Sequence, residues 1–242
     1  MTAHDRPTFT WLGHATVRCD LPSGEVVVID PFLEQNPSTP EAARRFERLD
    51  LILVTHAHGD HMADAVALAK RHGALVVAGY DLCGWLASQG VERTSGMNLG
   101  GTQTACGLRV TQVRADHTSS FEDQGRIVYG GVASGFVVRT ASGYCFYHAG
   151  DTALFSDMQL IGELYRPDLA FLPIGDHFTM DPVQAARACR LLNVRRVVPI
   201  HWGTFPMLTG RPAHLVDAIA HLGGCRTEVV ALEPGRPWTP PD

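Results

Sequence analysis

Short alternating runs at the start of the chain give way to longer apolar blocks and helical stripes. Thr8–Leu12, Ala15–Asp20 and Glu25–Asp30 read as strands, with Leu21-Pro22-Ser23-Gly24 as a turn. Ala42–Leu49 has the spacing of a short helix. Leu51–Thr55 is an apolar strand that runs into a histidine-rich loop. After the loop the pattern predicts a helix over Met62–His72, a strand over Ala74–Gly79 and a short helix over Leu82–Gln89 stopped by Gly90. The second half repeats the style. Leu108–Ala115 is a strand, and Gly135–Thr140 and Tyr144–His148 flank Ala141-Ser142-Gly143 as a hairpin. Helices are predicted over Ala153–Tyr165, Pro182–Leu192 and Pro212–Leu222, and strands over Leu169–Ile174, Arg196–Ile200 and Thr227–Leu232. The start at Pro182 is well specified, with Asp181 as N-cap and proline in the first helical position. Hairpins open each half and helix–strand units close it. That predicts an α/β (α+β) fold of two mixed sheets packed face to face with helices outside.

The composition narrows the class. With 242 residues, 45% hydrophobic and 19% charged, the chain can bury roughly 70% of its unfolded surface. Its length is about 1.6 times that of an average domain, so one large domain or two small ones fit. A net charge of -5 argues against a dedicated nucleic-acid binder. No apolar run approaches the ~18 residues of a membrane span, and the polar start Met1–Arg6 lacks the apolar core of a signal peptide. Cys19, Cys83, Cys106, Cys145, Cys189 and Cys225 are scattered without a C-x-x-C pair and read as reduced thiols. A cytoplasmic protein is expected.

The 12 histidines are the unusual count. His56-Ala57-His58-Gly59-Asp60-His61 follows directly on the strand Leu51–Thr55, and six residues there supply four ligand types suited to zinc and similar ions. The pattern H-x-H-x-D-H arises about 0.002 times by chance in a shuffled chain of this composition. His56 and His58 can clasp one ion, while Asp60 and His61, past Gly59, can turn toward a second. His117, Asp151 and His201 each sit at or just beyond the end of an apolar run, where loops of sheet proteins converge on ligands. Together these residues make two sites of three protein ligands each, plus one bridging carboxylate. Asp30 ends the run Val26–Ile29 and can orient a ligand histidine through its other ring nitrogen.

With these residues in place the chain resembles the metallo-β-lactamase superfamily over nearly its whole length. Leu12-Gly13-His14-Ala15, Ile29-Asp30-Pro31-Phe32, Tyr147-His148-Ala149-Gly150-Asp151-Thr152 and Leu172-Pro173-Ile174-Gly175-Asp176 sharpen the resemblance to one branch. That branch comprises stand-alone bacterial metal-dependent hydrolases similar to ascorbate-6-phosphate lactonases and N-acyl-phosphatidylethanolamine phospholipases D. The resemblance implies a four-layer αββα sandwich with a dinuclear site at one edge. His56, His58 and His117 would hold one metal, Asp60, His61 and His201 the other, and Asp151 would bridge them. His177 departs from the branch, where an amide is commoner, and is a candidate general acid or substrate contact. His14 and His148 are expected to support the site or pack beside it. His4, His72, His214 and His221 are expected at the surface.

Two divalent ions, zinc first with Mn2+ or Fe2+ as alternatives, can lower the pKa of a shared water from 15.7 toward ~7. Hydrolysis of a small ester, lactone or related carboxyl derivative by metal-bound hydroxide is therefore expected, with Asp60 relaying a proton. The alternatives are a phosphodiesterase on the same site, a di-iron redox protein and a non-catalytic metal-binding module. Redox members of the fold tend to carry Glu where this chain has His58, which favours hydrolysis. No G-x-S-x-G run is present to supply a serine nucleophile. The ligands span residues 56 to 201, so a single domain over 1–242, built from halves at about 1–107 and 108–242, is expected. A small-molecule substrate fits this site, and the fold is compatible with a homo-oligomer.

Overall fold

The computed structural model describes residues 6–241. Two seven-stranded sheets carry the fold. The first is built from β1 (Thr8–Gly13), β2 (Thr16–Asp20), β3 (Val26–Ile29), β4 (Leu51–Leu53), β5 (Leu75–Gly79) and β6 (Thr94–Met97). The second starts with β7 (Thr102–Ala105) and β8 (Leu108–Arg114). After a small hairpin of β9 (Ser120–Asp123) and β10 (Arg126–Tyr129), it continues through β11 (Ser134–Arg139), β12 (Cys145–His148), β13 (Leu169–Pro173), β14 (Arg196–Ile200) and β15 (Glu228–Val229). β16 (Pro237–Trp238) returns to the first sheet beside β1. Each sheet is antiparallel where hairpins build it and parallel where helices connect it: β3, β4, β5 and β6 are parallel in one, and β12, β13, β14 and β15 in the other.

The alternation along the strands explains the layers. Leu51 and Leu53 face Phe136, Phe146, Phe171 and Val198 of the opposite sheet in a common inter-sheet core. Their neighbours Ile52 and Val54 turn the other way, onto α2 (Ala65–His72) and α3 (Tyr80–Ser88). In the second sheet Tyr147, Ala170, Leu172 and Val197 pack outward against α4 (Met158–Tyr165), α5 (Pro182–Leu192) and α6 (Pro212–Leu222). The result is the expected αββα sandwich. Phe9 lies at its centre, with ring centroids 5.0 Å from Phe146 and 5.3 Å from Phe171, both edge-on.

Several local expectations change. Ala42–Leu49 is not a helix but a single 3-10 turn at Glu41–Ala43 followed by irregular chain. Eight uncapped residues are too short to hold a helix alone, and Phe46 and Leu49 instead sink into the core under the first sheet. The helix expected over Met62–His72 starts earlier and is split. One turn, α1 (Gly59–Met62), precedes α2, and Asp64 between them spends its carboxylate on the Leu33 and Glu34 amides. Ala153–Asp157 stays irregular because Phe155 is drawn into the core and the Ala153 N–H donates to Asp116. The last strand shortens to two residues at the sheet edge. β6, β7, β9, β10 and β16 lie outside the expected strands. Among the described residues no helix is long and apolar enough to cross a membrane.

α4 and α5 touch at Gly162, where a Cβ would lie 2.5 Å from the Leu192 carbonyl oxygen. Gly84 of α3 has nothing within 4 Å of the same position. Gly162→Ala should therefore cost about 1–3 kcal/mol through overpacking, while Gly84→Ala should add about 0.5–1 kcal/mol. Thermal unfolding of the two variants checks this: opposite shifts of the midpoint are expected.

Candidate metal centre

The parallel strands of both sheets point their carboxyl ends at one edge, and the loops leaving those ends carry the site. β3 runs into Asp30, β4 runs into Thr55–His58, β12 runs into Ala149–Asp151, and β14 runs into His201. From the antiparallel strands, β8 leads to His117 and β1 to His14. Three of these residues hold left-handed backbone: Asp30 at φ 50°, His14 at 52° and His201 at 54°. A non-glycine residue in that region costs free energy and persists only where its surroundings hold it. Here the His201 N–H donates to the His14 carbonyl at 2.8 Å, tying the two sheets together beside the site. Gly150 is required nearby, because at φ 61° a Cβ would stand 2.8 Å from both Thr55 Cβ and the Ser134 carbonyl.

The donors form three groups that overlap at His56 and His61. His56, His58 and His117 bring one ligand atom each within 4.8 Å of one another, and so do His14, Asp60, His61 and His201. His58 is the N-cap of α1, and Asp60 and His61 follow in its single turn. The His61 ring stands 4.1 Å from that of His56, and Asp30, His56 and His61 also bring one ligand atom each within 4.8 Å of one another. His56 Nε2 lies 3.0 Å from His58 Nδ1. Asp151 sits between the groups: its Oδ2 is 3.0 Å from His201 Nε2, 3.3 Å from His61 Nε2 and 3.7 Å from His117 Nε2. Asp151, His61 and His201 are buried.

The electrostatics call for a cation. Burial opposes charge on His61, yet the Asp151 and Asp30 carboxylates override it and hold its pKa well above the ordinary value. Burial also works against the charge of Asp151, but His201 and His61 keep its carboxyl ionised far below the usual range. His56, His58 and His117 are pushed down, chiefly by burial, so their rings are neutral and their lone pairs free for coordination. His61 Nε2, Asp151 Oδ1 and both ring nitrogens of His201 are buried without hydrogen-bond partners. Such groups are rare in folded proteins unless water or an ion satisfies them. Nitrogen and carboxylate donors crowded out of line for hydrogen bonds fit a divalent ion of the zinc type.

Similarity to known proteins agrees with this chemistry. Residues 25–202 match the Beta-lactamase superfamily domain. A UPF0173 metal-dependent hydrolase of Rubrobacter xylanophilus is 51% identical over 227 residues, 93% of each chain. The chain belongs to the beta-lactamase superfamily as a metal-dependent hydrolase. Among solved structures, Igni18, a metallo hydrolase of the archaeon Ignicoccus hospitalis, superposes with a TM-score of 0.84 at 34% identity, covering 96% of this chain and 97% of that one. CmlA, a diiron β-hydroxylase of Streptomyces venezuelae, shares the fold alone: TM-score 0.72, 16% identity, and 97% of this chain on 54% of that one.

All seven residues singled out as ligands lie at this edge. Asp30 is there too: its Oδ2 is 2.8 Å from His61 Nδ1 and accepts from Thr55 Oγ1 at 2.7 Å, while Oδ1 accepts from the Thr55 amide. His177 is elsewhere in character. It is exposed, its ring stands 4.4 Å edge-on to Phe178, and its amide is held by Asp176. His148 packs, donating from Nε2 to the Ala15 carbonyl while Nδ1 accepts from Gly150. His214 and His221 are exposed, His72 is half-buried, and His4 lies outside the described residues.

His14 has a larger part than its place in the chain suggested. Burial, then the neighbouring His201, pushes its pKa down to about 4. As a neutral ring it donates from Nε2 to Asp60 Oδ2 at 3.0 Å and accepts at Nδ1 from the Thr204 hydroxyl at 3.0 Å. No spacing in the sequence linked residues 14, 60 and 204. The signals in the sequence were the segment Leu12-Gly13-His14-Ala15 and its place at a strand end, which pointed to a supporting residue but not to its partners.

Asp30→Asn keeps the volume and the left-handed backbone but replaces the carboxylate that orients His61. Metal affinity, measured by competition with a chelator, should weaken about 10–100-fold while the circular dichroism spectrum stays unchanged.

Proposed function

We propose that this hydrolase cleaves a small ester, lactone or related carboxyl derivative with two divalent ions, zinc first among them. One ion is held by His56, His58 and His117, the other by Asp60, His61 and His201, and Asp151 lies between. The observation that supports this reading is that His117 of one donor group and His61 and His201 of another all face the buried Asp151 carboxylate. When bound, the ions lower the pKa of water toward ~7 and polarise the oxygen of the scissile bond.

The chain's own residues account for the rest. His14 holds Asp60 Oδ2, which orients the carboxylate and leaves Oδ1 free to face the second ion. Burial opposes its charge, yet the hydrogen bond from His14 and the nearby His61 keep the carboxyl well below the usual range, so Asp60 would relay a proton onward rather than keep it. Asp30 and Asp151 fix the two sides of His61, so its ring cannot turn as charge changes during the reaction. A thiol nucleophile has no support: burial pushes Cys19, Cys83, Cys145 and Cys189 up, away from the reactive thiolate. Because the donors come from loops of both sheets, the whole chain acts as one domain.

Metal analysis of the purified protein should return close to two ions per chain. Metal-loaded protein should hydrolyse lactones or simple esters, lose this activity to a chelator and regain it with zinc or manganese. Asp151→Ala should cost more than the roughly 10–100-fold typical of residues that only orient ligands. Cleavage of phosphodiesters without any action on esters or lactones would overturn the carboxyl assignment. Full ester hydrolysis by Asp151→Ala would place the activity outside this centre.

A further inference from the structure

Beside the first donor group the surface opens into a cavity of about 560 Å3, whose wall includes His117, Thr118, Leu99, Tyr129 and Val132. It is continuous with the centre. His117 belongs to both, and Thr118 Oγ1 stands 3.3 Å from His58 Nε2. Three apolar side chains line it with nothing covering them: Leu99 is 42% exposed, Tyr129 68% and Val132 48%. Ile127, two residues before Tyr129 and so on the same side of β10, extends the patch and is 84% exposed. Single exposed apolar residues are ordinary, but a group of them beside a reactive centre marks a binding surface.

Charge narrows what binds there. Arg114 is the cation of the wall, and it is already engaged. Its Nε donates to Asp116 Oδ1 at 2.7 Å and its Nη1 to Asp157 Oδ2 at 3.2 Å. Asp116 also lines the cavity. A phosphate or carboxylate arm would meet this carboxylate and a guanidinium with two anionic partners.

We propose that this cavity receives the neutral, apolar acyl arm of the substrate, which makes the substrate an alkyl or aryl ester or lactone rather than a sugar phosphate or a nucleotide. The proposal rests on the carboxyl-hydrolase reading above. The reaction itself is ordinary hydrolysis: water adds at the acyl carbon, the acyl C–O bond breaks, and a carboxylic acid and an alcohol leave.

The test compares ethyl esters from acetate to octanoate on the metal-loaded protein, with the leaving group held constant. kcat/KM should rise about two- to fourfold per added methylene, fourfold corresponding to complete burial at about 0.8 kcal/mol per CH2. Val132→Asp should flatten that rise. Leu164→Asp, a change at a 72% exposed position on α4 outside the site, should leave it as it is. Calorimetric titration with 1-hexanol gives a second readout independent of turnover: binding with a negative heat-capacity change is expected, and Val132→Asp should abolish it. If the esters are cleaved with no dependence on chain length, the inference fails and the carboxyl reading stands. If no ester is cleaved but hexanol binds as described, the carboxyl reading fails and the apolar cavity stands. If hexanol does not bind, or binds equally well to Val132→Asp, the cavity assignment is overturned.

Discussion

The site depends on one imidazole held between two buried carboxylates. His61 has Asp30 on Nδ1 at 2.8 Å and Asp151 beside Nε2 at 3.3 Å, and all three are removed from water. Burying two anions around one neutral ring is expensive unless positive charge joins them. Without a metal that charge is a proton on His61, the direction in which its pKa is driven. A divalent ion would meet the same demand better, because it could also take His201 Nε2 and the second oxygen of Asp151, which no hydrogen bond satisfies. The rest of the edge follows from presenting these groups to a common point.

The two sheets make that presentation feasible. Parallel strands deliver Asp30 and His56 from one side, and Asp151 and His201 from the other, so the donors converge from opposite sheets rather than from one flexible loop. Cross-sheet hydrogen bonds secure the seam: Ser134 donates from both its amide and its hydroxyl to the Thr55 carbonyl, and the Ala57 amide donates to Ser119 Oγ. The strained residues gather here as well. Left-handed backbone at His14, Asp30 and His201 turns each chain sharply at the end of its strand, so that the side chain faces inward. Strain of this kind at a functional edge is stored by the well-packed layers behind it. The same scaffold also carries the diiron β-hydroxylase CmlA, so hydrolysis is read from the similarity to metal-dependent hydrolases and not from the architecture.

Much of this was legible in the residue pattern. The run His56–His61 is local, and its ligand spacing survives any uncertainty about where strands end. The outlying donors were legible because each terminates an apolar run, and the long buried strands β8, β12, β13 and β14 are the easiest elements to recognise. What could not be read depends on contacts between distant segments. The strands Thr94–Met97, Thr102–Ala105 and the pair Ser120–Asp123 with Arg126–Tyr129 are polar or short, and they form only because a neighbouring strand or the edge of a sheet is offered to them. Ala42–Leu49 has helical spacing but lacks the length and caps to use it, so the burial of Phe46 and Leu49 decides its path. The link from Thr204 through His14 to Asp60 joins three loops separated by 46 and 190 positions, a distance that no local pattern reports.

The central claim is that Asp151 lies between two ions, each completed by three further protein donors. Crystals of the metal-loaded protein, measured on both sides of the metal absorption edge, test it directly. The account predicts two anomalous peaks about 3.5–4 Å apart, with an Asp151 carboxylate oxygen between them, one peak among His56, His58 and His117 and the other among Asp60, His61 and His201. A single peak, or two peaks with the Asp151 side chain turned away from both, would contradict it.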